Sequence, residues 1–133
     1  MKLTTKSEYS LLALLYLARH EKKGFVKIED ICSAYDIPKK YLEQLMTTLK
    51  QNRYIKTRRG ALGGYELARP AKKISLAEIF RLVDGALAPT ESSSKYFYAS
   101  TPLEKEKKVI RVLKDIRDFI SHKLESISVA DLI

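Results

Sequence analysis

Lys40, Glu43, Gln44 and Thr47 recur at spacings of three, one and three residues, which aligns side chains along one face of a helix. Their chemistry is hydrogen bonding. Gln44 can donate and accept at an adenine edge, and Lys40 can reach a guanine or a phosphate. Glu43 can accept from a cytosine amino group or repel wrong sequences, or it can simply pair with Lys39 or Lys40. A second group follows in "RRGALGGYELARP", residues 58–70. Arg58 and Arg59 precede glycines that allow a sharp turn, and "YIKTR" before them alternates in step with Tyr65-Glu66-Leu67, as paired strands do. The pattern predicts an antiparallel hairpin with a basic tip, suited to phosphates or a minor groove.

Nothing in the chain assembles a catalytic or metal-binding set. "GALGG" has neither the GxGxxG order nor the GK[ST] ending of a phosphate loop, and His20 and His122 lack a nucleophile partner nearby in sequence. The single cysteine, Cys32, excludes an intramolecular disulfide, and the two histidines give no zinc spacing. Cys32 is expected as a small core residue. The expectation is a protein that is not an enzyme and carries no cofactor.

Charge placement supports a nucleic-acid partner. Residues 38–73 hold ten Lys and Arg against two acids, an excess of eight, in a chain whose formal net charge is +9. Residues 86–133 hold eight against seven, an excess of one. A basic balance concentrated in one segment marks a polyanion-binding face. With 133 residues and 45% hydrophobic content the chain is expected to fold as one compact domain. "LLALLYLA" at 11–18 is too short to span a bilayer and lacks a following cleavage site. A soluble protein of the reducing cytoplasm, with no membrane partner, is expected.

The elements that must hold these groups are legible from periodicity and caps. Capping boxes are expected at Thr5 to Glu8, Ser75 to Glu78 and Thr101 to Glu104. The first helix is expected over 6–21. Ile28, Ile31, Cys32 and Tyr35 share a second helix, and Pro38 opens a third whose Leu42, Leu45 and Leu49 pack inward. Two short helices meeting at a tight turn, followed by a hairpin, make a winged helix-turn-helix. The fold class is therefore mainly α with a small β-hairpin wing. A capped helix over 74–85 completes a DNA-binding domain at 1–85. Residues 86–102 form a Pro/Ser/Thr-rich loop with a flexible Ser92-Ser93-Ser94 run, a possible sensor region. Its Tyr96, Phe97 and Tyr98 either line an effector pocket or pin the loop by packing, the latter favoured. From 103 a long helix runs to about 126, with Val109, Leu113, Ile116, Ile120 and Leu124 in a stripe that serves a second copy, and "SVADLI" caps its end.

Taken together, "LTTKSEYSLLALLYLA", "YLEQL" at 41–45, "RGALGGYELAR" at 59–69 and "ISLAEIFRLVDG" at 74–85 resemble the bacterial winged-helix transcription regulators typified by IscR, NsrR and CymR. The likeness spans the whole chain. It implies a homodimer, a repressor by preference, on a pseudo-palindromic double-stranded DNA operator. It places Tyr41, Glu43 and Gln44 in the recognition-helix motif and Arg59 with Gly60 in the wing motif. Lys39, Lys40, Thr47, Lys56 and Arg58 join them from the charge and spacing above. Iron–sulfur or nitric oxide sensors of that group carry three cysteines in the region matching 86–108, and this chain has none there. The resemblance is nearest the cluster-free CymR-like branch, controlled by a partner protein or a small effector. A winged-helix adaptor for protein or RNA is the alternative.

Overall fold

The computed structural model describes all 133 residues. Five helices and one hairpin follow in the order α1 (Thr5–Arg19), α2 (Ile28–Tyr35), α3 (Lys39–Gln51), β1 (Ile55–Arg58), β2 (Gly64–Leu67), α4 (Leu76–Asp84) and α5 (Lys107–Glu125). Short 3-10 turns sit at Ala71–Lys73, Glu91–Ser93, Pro102–Lys105 and Val129–Leu132. The two strands pair antiparallel, Ile55 opposite Leu67 and Thr57 opposite Tyr65. The mainly helical winged helix-turn-helix expected from the sequence is what the chain forms.

One core binds the first three helices to the wing. Leu14 and Leu17 of α1, Ile31 of α2, Leu42, Met46 and Leu49 of α3, Ile55 of β1 and Ile79 of α4 are all essentially inaccessible. The leucine stripe of α3 packs as its period requires, and Met46 widens it. Cys32 lies half-buried against this core. Burial and the Glu29 carboxylate push its thiol up, so it stays in the unreactive protonated form at neutral pH.

The caps depart from the sequence pattern at two of three places. Ser75 and Glu78 close the expected box on α4, and Gly85 ends that helix with φ 84°. At α1 the cap is Thr4, whose side chain accepts from Ser7 N, and not Thr5. Thr4 wins because it also meets Asp84, which accepts from its amide and its hydroxyl. Thr101 caps nothing through its side chain, and Pro102–Lys105 is a 3-10 turn. Glu104 is taken by the hydroxyls of Tyr98 and Ser100, which hold its carboxyl below the usual range. The long helix therefore starts at Lys107 rather than 103.

The segment at 86–102 is more ordered than its composition suggests. Ser92, Ser93 and Ser94 are buried rather than a flexible run. Thr90, Ser92, Ser93 and Thr101 hydroxyls bond among themselves, and Arg117 of α5 donates to the Ser93 carbonyl at 3.1 Å. Short side-chain hydroxyls replace the backbone partners that an irregular segment lacks. Tyr96, Phe97 and Tyr98 stand largely exposed, with Arg81 4.9 Å from the Tyr96 ring centre and the Tyr98 hydroxyl on Glu104, so the packing expected of them is partial in the single chain.

After α5 the chain returns to the first core. Val129 is fully buried there, its amide donates to the Ile74 carbonyl at 2.8 Å, and Leu76 N donates to the Ile127 carbonyl at 2.9 Å. Ser128 and Asp131 form a capping box on this last turn. On α5 itself, Ile120 and Leu124 pack against Leu76, Ala77, Phe80 and Leu87. The expected stripe thus divides: Val109 and Ile116 face outward, where Val112 and Phe119, outside that stripe, join them.

Candidate nucleic-acid interface

The face of α3 opposite its leucines is open to solvent. Lys39, Lys40, Glu43, Gln44 and Thr47 are all exposed. Lys40 and Glu43 have no ion-pair partner within 4 Å, and Glu43 does not pair with Lys39 or Lys40 as one expectation held. Lys39 instead meets Glu29 of α2 at 2.9 Å. That bond lowers the Glu29 carboxyl and raises the Lys39 amine from their ordinary values. Thr47 donates to the Glu43 carbonyl at 3.0 Å, which parks its hydroxyl on the helix. Tyr41 is half-buried, edge-on to Tyr9 with ring centres 5.6 Å apart. It positions the start of α3 on α1.

The wing is built by backbone crowding. A Cβ at Gly63 would collide with the Arg58 carbonyl, and one at Gly64 with the Val26 carbonyl, where φ is also 141°. Only glycine fits both positions. The close approach at Gly64 lets Val26 pair with Tyr65, each amide donating to the other's carbonyl at 2.7 and 2.8 Å. Lys27 then donates to the Gly60 carbonyl at 3.1 Å, tying the wing tip to the start of α2. Burial first, and then the Glu43 and Glu29 carboxylates, push the Tyr65 hydroxyl up, so it remains a donor.

Arg58, Arg59 and Gly60 are exposed, and neither arginine has a carboxylate within 4 Å. Lys56 is less free, because Glu66 directly across the hairpin holds it at 3.1 Å. Sequence spacing did not single out Lys50 and Arg53. They gather with Lys56 and Arg69 around a groove of about 740 Å³ on the flank of the wing. The signal was their place in the basic segment, without any periodicity to separate them from it.

Arg69 serves another purpose. Its guanidinium donates to the Arg53 carbonyl at 3.2 Å, the Asn52 carbonyl at 3.0 Å and Glu78 at 3.2 Å, and lies 4.1 Å from the Tyr54 ring centre. It locks the turn between α3 and β1, where Arg53 adopts a left-handed φ of 63°. Burial and Glu78 push the Tyr54 hydroxyl up to about 12.

The start of α2 therefore holds both parts of the interface, Glu29 reaching α3 and Lys27 reaching the wing. A polar helix face beside a basic hairpin is the architecture of the winged-helix transcription regulators. The profile of the Rrf2 family, described as an iron-dependent transcriptional regulator, matches residues 3–133, and the chain belongs to that family. It is 32% identical to the HTH-type transcriptional regulator CymR of Bacillus subtilis over 133 residues, 99% of this chain and 89% of that protein. It is 38% identical to IscR of Xenorhabdus nematophila over 95 residues, 71% of this chain and 58% of that one. The chain spans less than two thirds of the length of that and several other curated relatives. The solved structure of CymR, titled the global cysteine regulator of B. subtilis, aligns with a TM-score of 0.78 at 28% identity, covering 99% of this chain and 95% of that one.

The family description names iron, and the donor set here does not suit it. No three His, Cys, Asp or Glu side chains come together to hold a metal ion, and the one cysteine is half-buried on α2 with its thiol protonated. An iron–sulfur cluster requires several thiolates or equivalent ligands.

Proposed function

We propose that this protein is a sequence-specific DNA-binding transcription regulator of the cytoplasm, acting as a homodimer on an inverted-repeat operator without an iron–sulfur cluster. The observation that carries the reading is the pairing of an open Lys40-Glu43-Gln44 face with the ion-pair-free Arg58 and Arg59, both fixed to α2. In it Gln44 and Lys40 read base edges, Arg58 and Arg59 hold phosphates or enter the minor groove, and Lys56, shared with Glu66, contributes less. In this reading the regulator acts as a repressor. No helix is long and apolar enough to cross a membrane.

The dimer surface in this reading is the outward stripe of α5. Val109, Val112, Ile116 and Phe119 are 42%, 56%, 42% and 72% exposed and follow at spacings of three, four and three, the seam of a helix pair. Leu113 flanks that seam, whereas Ile120 and Leu124 support it from within the protomer. Tyr96, Phe97 and Tyr98 remain the candidate contact for a regulatory partner.

Selection of bound duplexes from a random pool tests the function. An inverted repeat with half-sites about one helical turn apart, or a multiple of it, is expected. With about 6–10 phosphate contacts, affinity should fall by roughly a thousandfold or more between 50 and 200 mM salt. Preference for single-stranded RNA, or no binding to either nucleic acid, would overturn the reading.

A further inference from the structure

A hollow of about 860 Å³ lies between the loop at 90–105 and α5, away from the interface above. Lys95 lines it from the loop, and Lys107, Arg111, Lys114 and Arg117 line it from the helix. Arg117 is occupied by Asp118 at 2.7 Å and by the Ser93 carbonyl. The other four cations have no carboxylate within 4 Å. The wall also holds three carboxylates, Asp118 paired with Arg117, Glu104 bound by the Ser100 and Tyr98 hydroxyls and still charged beside Lys114, and Asp115, so its five cations exceed its acids by two. Like charges gathered around a concavity raise the local concentration of anions.

The start of α5 adds to this field. Its first amides, those of Lys107, Lys108 and Val109, have no acceptor, and no side chain caps the helix. Two lysines occupy the first turn against a single acid, Glu106 at the N-cap, so the helix dipole is only partly complemented there. An anion at this place satisfies the amides and relieves the lysines together.

We propose that this hollow binds a small polyanion carrying two or more phosphate or carboxylate groups, held by Lys95, Lys107, Arg111 and Lys114 with the first amides of α5. The walls come from both loop and helix, so the ligand would fasten one to the other. At about 100° per residue, positions 107, 111 and 114 lie on the far flank of α5 from 109, 112, 116 and 119. A bound polyanion and a second copy of the chain do not compete for the same face. This inference is independent of the DNA reading.

Calorimetric titration of the full chain with pyrophosphate and, separately, with citrate at constant ionic strength tests it. One site per chain is expected for at least one probe, and the stronger of the two identifies phosphate or carboxylate as the recognised group. Lys107→Gln/Arg111→Gln/Lys114→Gln should weaken that site tenfold or more, whereas Arg58→Gln/Arg59→Gln should leave it unchanged. Backbone amide signals of residues 107–109 should shift on titration. Arg111→Gln alone, expected to weaken binding at least threefold, serves if the triple variant fails to fold. Non-saturable binding of both probes, equal loss in the wing variant, or a triple variant that weakens only duplex binding would overturn the proposal.

Discussion

Replacing Arg69 with alanine separates wing positioning from phosphate contact. The guanidinium donates to two carbonyls, those of Asn52 and Arg53, pairs with Glu78 and covers the Tyr54 ring. Hydrogen bonds from a charged donor contribute about 1.5–3 kcal/mol each when sheltered. Arg69 is 38% exposed, so the low end applies, and the half-exposed Glu78 pair adds about 0–1 kcal/mol. The ring contact adds about 0.5–1 kcal/mol. Allowing for partial replacement by water, the expected loss is about 2–4 kcal/mol. With a urea slope of about 2 kcal/mol/M, the unfolding midpoint should fall by about 1–2 M at fixed protein concentration. Arg69→Met, which keeps a chain over Tyr54 but no donors, should lose roughly half as much. Because the guanidinium is taken up by the Asn52 and Arg53 carbonyls and by Glu78, the slope of log affinity against log salt should not change. A slope that drops by about 0.9 per chain, with stability within 0.5 kcal/mol of wild type, would refute the anchor and make Arg69 a phosphate contact.

Gln44→Ala should relax base preference at a symmetric pair of operator positions by about 1–3 kcal/mol, whereas Arg59→Ala should weaken all duplexes and lower the salt slope; competition binding against shuffled DNA reads the difference. Ile116→Glu should give monomer in sedimentation with reduced duplex affinity, because a carboxylate would be left unpaired in the proposed seam, and a dimer that persists in Ile116→Glu/Phe119→Glu would put the interface elsewhere. Gly64→Ala must displace the Val26 carbonyl or break the Val26–Tyr65 pairing, so amide exchange at Val26 and Tyr65 should accelerate at least tenfold while α4 amides stay protected. Cys32→Ser should leave duplex binding nearly unchanged, and Cys32, with its thiol pushed up by burial and Glu29, should alkylate more slowly at pH 7 than a free thiol.

Helices α2, α3 and α4 and the antiparallel hairpin were legible because each rests on a local pattern. The leucine period of α3, the Ser75–Glu78 box and the antiparallel pairing of the two runs all reappear where the sequence put them. The exposed face of α3 followed from the same period. What was not legible depends on partners distant in the chain. Thr4 displaces Thr5 as a cap because Asp84 comes to it across 80 residues, and Glu104 leaves its box for Tyr98. A serine run reads as flexible until Arg117 closes over it. Lys39 and Lys56 were expected among the DNA contacts, yet each is met by a carboxylate from a neighbouring element that spacing along the chain did not reveal. Likewise Arg69 counts as basic charge in composition and acts as a fastener in three dimensions.

The return of Val129 to the first core makes α5 a beam secured at its middle and at its far end. Arg117 fixes it to the loop near its middle, and Ile127 and Val129 fix its far end to Ile74 and Leu76. Its 19 residues span about 28 Å at 1.5 Å each. Pivoting such a beam by about 5° carries its free end through roughly 2.4 Å, most of the rise of one DNA base pair. In the proposed dimer that motion is transmitted to the separation of the two reading helices instead of being absorbed by a slack joint. In that proposed dimer the spacing of operator half-sites is set by a lever whose fulcrum lies at residues 74–76 and 127–129.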